Sequence, residues 1–96
     1  MAVKKLETLS EDILSSGIFA VKFSAEWCGP CKALALTFPD ITGAELFEVD
    51  IDKDEDASLR YGIRSVPTTI IFKDGEIVGR VVGNNVKGIQ EVIDSI

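Results

Sequence analysis

Histidine is absent from this chain of 96 residues, and cysteine occurs only twice. Without histidine, the commonest general base and the commonest metal ligand are both missing. A zinc site needs about four ligands, so two thiols would have to be completed by carboxylates or by a second chain. Cations are also in deficit: 10 Lys and Arg stand against 16 Asp and Glu, a net charge of −6. Nucleic acid and anionic membranes both demand a basic footprint, so neither is an expected partner, and the acids read as a solvated surface. No apolar run approaches the ~20 residues of a membrane-spanning helix. Residues 1–16 lack the apolar core of a secretory signal, so a cytoplasmic location is expected. Linkers, repeats and low-complexity stretches are missing too. What remains, 46% hydrophobic and 27% charged residues, suits one globular domain over residues 1–96.

Both cysteines and the one tryptophan fall in Trp27-Cys28-Gly29-Pro30-Cys31-Lys32. Upstream, Ile18 to Ala25 reads as a buried strand; downstream, Pro30 suits the first turn of a helix, where its fixed φ fits and its missing N–H is not needed. Cys28 therefore falls at a helix N-terminus, where free N–H groups and the positive dipole end favour a thiolate without any histidine. Three other readings compete with a redox pair. The zinc site lacks ligands, as above. A structural disulfide would close too short a loop to stabilise much. Inert core thiols fit poorly with Gly-Pro between them, which is turn chemistry. Redox chemistry is the favoured reading.

The remaining elements follow from periodicity. Val3 to Glu7 is a short edge strand, and Thr8-Leu9-Ser10-Glu11 matches a capping box opening a short helix that Gly17 ends. Ile18 to Phe23, apolar on both alternating faces except at Lys22, is a central strand. Leu34, Phe38 and Ile41 mark the buried stripe of the helix after Cys31. Leu46 to Asp52 alternates, with Phe47, Val49 and Ile51 on one face and Glu48 and Asp50 on the other. The acidic run Asp52 to Asp56 lacks the glycine and glutamate of a calcium loop and reads instead as the first turn of a helix ending near Tyr61-Gly62. Thr68 to Phe72 and Glu76 to Val82 form a hairpin through Asp74-Gly75. Val86, Ile89, Ile93 and Ile96 give a closing amphipathic helix, in which Gly88 costs about 1 kcal/mol relative to Ala. The order βαβαβαββα is α/β, with a parallel first half and an antiparallel hairpin at the end.

Ala25-Glu26-Trp27-Cys28-Gly29-Pro30-Cys31-Lys32, then Tyr61-Gly62-Ile63-Arg64-Ser65-Val66-Pro67-Thr68, Phe72-Lys73-Asp74-Gly75 and Gly83, resemble the thioredoxin family in order and spacing. The resemblance runs from about Glu7 to the C-terminus. It implies the thioredoxin fold, a central mixed sheet flanked by helices on both faces, and a general protein-disulfide reductase cycling between dithiol and disulfide, with no metal or organic cofactor beyond the Cys28–Cys31 pair. Cys28, with the better dipole position, is the expected nucleophile; Cys31, one turn in, is expected to be more buried and to resolve the mixed disulfide. The resemblance further implies a reducing poise from Gly-Pro, a cis Val66–Pro67 peptide beside the sulfurs, and a docking surface of Trp27, Gly29, Pro30, Val66, Pro67 and Gly83. Its expected partners are a thioredoxin-reductase-type electron donor and oxidised protein substrates, with the chain acting as a monomer. A redoxin dedicated to one enzyme system, or a non-catalytic docking subunit, are the alternatives.

The sequence departs from the family pattern at four places. The proline usual midway along the helix after Cys31 is replaced by Leu36, and Pro39 comes later, so the helix either kinks there or ends early. Ser24 stands where a bulky aromatic is usual. Lys22 occupies the position of a buried aspartate, and Glu48 that of a lysine on the neighbouring strand, so the two charges are exchanged. Two readings follow. Lys22 and Glu48 pair under the disulfide and Glu48 shuttles the proton that Cys31 must lose, or Lys22 snorkels to solvent and Glu48 is a surface acid.

Overall fold

The apolar run that begins at Ile18 lies at the centre of a five-stranded sheet. The computed structural model describes residues 2–96. In chain order the strands are β1 (Val3–Leu6), β2 (Ile18–Ser24), β3 (Glu45–Asp50), β4 (Thr68–Lys73) and β5 (Glu76–Val82). They are arranged β1-β3-β2-β4-β5. Pairing is parallel among β1, β3 and β2 and antiparallel from β2 through β4 to β5. The helices are α1 (Gly29–Thr37), α2 (Glu55–Arg60) and α3 (Val86–Asp94).

Alternation along β2 divides the core into two layers. Phe19, Val21 and Phe23 point to one face and pack with Leu14, Phe47, Val49, Ala57, Ile70 and Phe72. Ala20 points to the other, with Leu34, Phe38, Leu46, Ile71, Ile89 and Ile93. Thus α1 and α3 cover one face and α2 the other. The hairpin turn at Asp74-Gly75 has φ of 50° and 86°, the left-handed pair that a two-residue turn requires. Near its middle the β4–β5 ladder slips: Ile71 faces Gly79 while Phe72 faces Ile77, so Val78 is left over as a bulge.

Some local expectations give way to longer-range contacts. The first helix is a four-residue 3₁₀ turn, Glu11–Leu14, whose N-cap is Ser10, with no side-chain hydrogen bond to it. The Thr8 capping box does not form, because the turn starts two residues later with Ser10 as its N-cap; the Leu9 N–H donates to Asp54 Oδ2 at 2.7 Å. Strand β3 stops at Asp50, and Asp54 caps α2 by accepting the Ala57 N–H at 3.1 Å. Pro39 ends α1 rather than kinking it: the α-helix closes at Thr37 and a 3₁₀ turn, Phe38–Asp40, follows. Helix α3 stops at Asp94, leaving Ile96 outside it and largely exposed.

Candidate functional site: the Cys28–Cys31 pair

Strand β2 ends at Ser24, and the chain needs only a short turn before α1 begins, with Pro30 in its first turn. Cys28 is the N-cap of that helix, in extended conformation, and its sulfur accepts the Cys31 N–H at 3.2 Å. A free N–H of the first turn is thereby aimed at the sulfur that would carry negative charge. Cys28 and Cys31 are joined as a disulfide, their Cα atoms 5.2 Å apart. They pack with Ala25, Ile51 and Val66. Both cysteines are 4% exposed, so burial does not separate them as the resemblance led one to expect. What separates them is their neighbours. Cys28 Sγ lies 3.5 Å from the Val66 carbonyl oxygen, whereas Cys31 lines a cavity of about 530 Å³ that Cys28 does not touch.

The peptide Val66–Pro67 is cis, and the Gly83 N–H donates to the Pro67 carbonyl at 2.8 Å, tying the two loops beside the sulfurs together. Gly83 has φ of 90°, a backbone state that L side chains rarely adopt. Trp27, Gly29 and Pro30 are exposed, Val66 and Gly83 half-buried, and Pro67 buried. Trp27 is 68% exposed, yet its indole N–H donates to Asp52 Oδ2 at 2.9 Å, which holds the ring edge. Val82, also exposed, adjoins Gly83. Neither Asp52 nor Val82 was singled out by sequence; an acid at the end of a strand and a valine on an edge strand carry no local signal of a site.

Beneath the pair, four strands contribute one row of side chains. The register sets Lys5 beside Glu48, Glu48 beside Lys22, and Lys22 beside Thr69. Lys22 is 2% exposed and does not reach solvent. Its Nζ lies 2.9 Å from Glu48 Oε1 and 5.0 Å from the Phe38 ring centroid, on whose π face a cation is attracted. Lys5 approaches the same carboxylate at 3.8 Å from the surface side. The Thr69 hydroxyl, fully buried, has no hydrogen-bond partner among the described residues. Lys22 and Glu48 line the same cavity as Cys31. Among the described residues, no group of three or more His, Cys, Asp or Glu is placed to hold a metal ion, and no helix is long and apolar enough to cross a membrane.

Two sulfurs that can bond and part at a helix N-terminus, beside an exposed indole and a cis-proline loop, define a protein of thiol–disulfide exchange. The thioredoxin family model matches residues 1–95. Thioredoxin of Staphylococcus epidermidis is 37% identical over 98 aligned positions, covering 96% of this chain and 94% of that one. Thioredoxin of Staphylococcus aureus is 36% identical, covering 98% and 97%. Among solved structures, the reduced thioredoxin pre-protein of Schistosoma mansoni superposes with a TM-score of 0.91 at 33% identity, covering 99% of this chain and 98% of that one. The chain belongs to the thioredoxin family. It is a thiol–disulfide oxidoreductase, a general reductase of protein disulfides working through its CxxC pair.

Proposed function

We propose that Cys28 attacks the disulfide of an oxidised protein and that Cys31 resolves the product. The Cys28 thiolate bonds to one partner sulfur and the other leaves as a thiolate. Cys31, once deprotonated, attacks Cys28 Sγ, closing the intramolecular disulfide and expelling the partner's second thiol. The observation that carries this order is the Cys31 N–H on Cys28 Sγ, which favours the anion on Cys28 in the open form. A thioredoxin-reductase-type donor would return two electrons by the reverse path. The partner would lie on Trp27, Gly29, Pro30, Val66, Pro67 and Gly83. The chain would act in the cytoplasm as a monomer and a single domain, with the cysteine pair as its sole redox centre.

Glu48 would take the proton that Cys31 loses, across the cavity both residues line, with the Lys22 ammonium holding the carboxylate in place. Mixed-disulfide trapping tests the sulfur roles. Cys31→Ser is expected to retain oxidised partners covalently and Cys28→Ser is not; the opposite pattern reverses the assignment. Glu48→Gln is expected to slow disulfide reduction and change its pH profile, and a profile identical to that of the parent removes the shuttle.

A further inference from the structure

The two cysteines are equally buried, but they do not border the same space. The cavity between α1 and the β1, β3 and β2 strands is lined by Cys31, Ser24, Lys22 and Glu48, and Cys28 takes no part in it. A nucleophile attacks a disulfide sulfur opposite the sulfur that leaves, and the better leaving group is the more acidic thiol. A small thiolate in this cavity would meet Cys31, and the departing sulfur would be Cys28, whose charge the N–H at 3.2 Å receives. The cavity thus brings a reductant too small to need the protein docking surface to Cys31 and not to Cys28.

Its charges say what kind. Lys5 and Lys22 share the one Glu48 carboxylate. Lys32 and Lys53 also line the cavity, as do Glu26 and Asp50, and none of these four makes an ion pair among the described residues. Unpaired charge of both signs, in a volume that falls within the ordinary range for small-molecule sites, fits a compact ligand carrying both an ammonium and carboxylates.

We propose that this cavity admits a zwitterionic low-molecular-weight thiol, which reduces the disulfide directly at Cys31. The thiolate bonds to Cys31 Sγ and the Cys28–Cys31 bond breaks, leaving Cys28 as thiolate. A second thiolate attacks the small molecule's own sulfur, releasing its symmetrical disulfide and freeing Cys31. Two thiols are oxidised and one protein disulfide is reduced; the two protons of the small thiols end on Cys28 and Cys31. The inference rests on the redox activity of the pair and concerns a second route for recharging it.

The experiment mixes oxidised protein with L-cysteine, glutathione or uncharged 2-mercaptoethanol and follows reduction by Trp27 fluorescence, with rate constants expressed per thiolate. Quenching with N-ethylmaleimide and sequencing the peptide of residues 23–32 by tandem mass spectrometry locates the adduct. The expected result is the small thiol on Cys31 and maleimide on Cys28, with at least one zwitterionic thiol about tenfold faster than 2-mercaptoethanol. Whichever of cysteine and glutathione is faster identifies the physiological size class. Ser24→Trp, which fills the cavity, is expected to lower that rate about tenfold relative to the reduction of insulin disulfides by the pre-reduced protein. An adduct on Cys28, equal rates for charged and uncharged thiols, or no selective fall in Ser24→Trp overturns the proposal. Loss of insulin reduction by the unmutated protein would instead overturn the reductase reading itself.

Discussion

Lys22 on β2 and Glu48 on β3 stand opposite each other in the parallel register, and their charged ends meet at 2.9 Å below the cysteine pair. Lys22 is buried, so its ammonium depends on that single carboxylate in a way that an exposed ion pair would not. Removing one partner of a buried pair leaves the other charge uncompensated, whereas removing both can be nearly neutral. Glu48→Gln is expected to destabilise the fold by about 3 kcal/mol and Lys22→Met by clearly less, with the double variant close to the parent. Urea denaturation of the four proteins checks this; additive losses would show that the two residues do not act as a pair.

Asp54 joins two segments distant in sequence. One oxygen accepts the Ala57 N–H at the start of α2, and the other accepts the Leu9 N–H, 45 residues earlier. Arg60 adds a bond to the Leu9 carbonyl at 3.0 Å. Asp54→Ala removes a cap and strands a buried N–H, so a loss of about 2 kcal/mol is expected. Amide exchange at Leu9 should accelerate along with that at Ala57. Leu9 exchange as slow as in the parent would mean the clip contributes nothing.

Gly88 reads from sequence as a weak point in α3. Its N–H donates to the Asn85 side chain at 2.9 Å, and a Cβ there would come within 2.5 Å of Asn85 Nδ2. Gly88→Ala therefore competes with the helix cap and is expected to lower stability by about 0.5 kcal/mol, whereas in an Asn85→Gly background it should raise it by about as much. Thermal melts of the pair of variants settle the sign.

Tyr61 sets an alkaline limit. Its ring packs edge-on against Phe72 at 5.6 Å, and burial pushes the phenol above its ordinary value of 10.0; nearby Glu11 adds to the rise and Arg60 opposes it. The folded state thus holds the proton more tightly than the unfolded chain. The stabilisation is complete below about pH 10 and is lost as pH rises through the folded value. Between pH 9.5 and 11 the urea midpoint is expected to fall more steeply in the parent than in Tyr61→Phe. Parallel declines would locate the alkaline sensitivity elsewhere.

Local chemistry made much of this legible in the sequence. Pro30 in the first turn of α1, the Asp74-Gly75 turn and the central strand through Phe23 all depend on neighbours a few residues away, and each formed where its pattern placed it. Thr8 misled because the turn starts at Glu11 with Ser10 as its N-cap, after a Leu9 N–H held by Asp54, a partner no short window contains. The equal burial of Cys28 and Cys31 was hidden for the same reason, since Val66 comes from a loop 38 residues away from Cys28. The cavity beside Cys31 arises where Ser24 leaves room between a helix and three strands, and small size at one position is not a motif.

The leftover Val78 bears on how the molecule behaves in a crowded cell. Strand β5 lies at the margin of the sheet and carries exposed Ile77, Val78 and Val82, a sticky border by composition. A neighbouring copy seeking to prolong the sheet would meet donors and acceptors out of step at the bulge and a locally tightened twist. The same slip that frees one valine from the ladder therefore works against copies joining edge to edge along this flank.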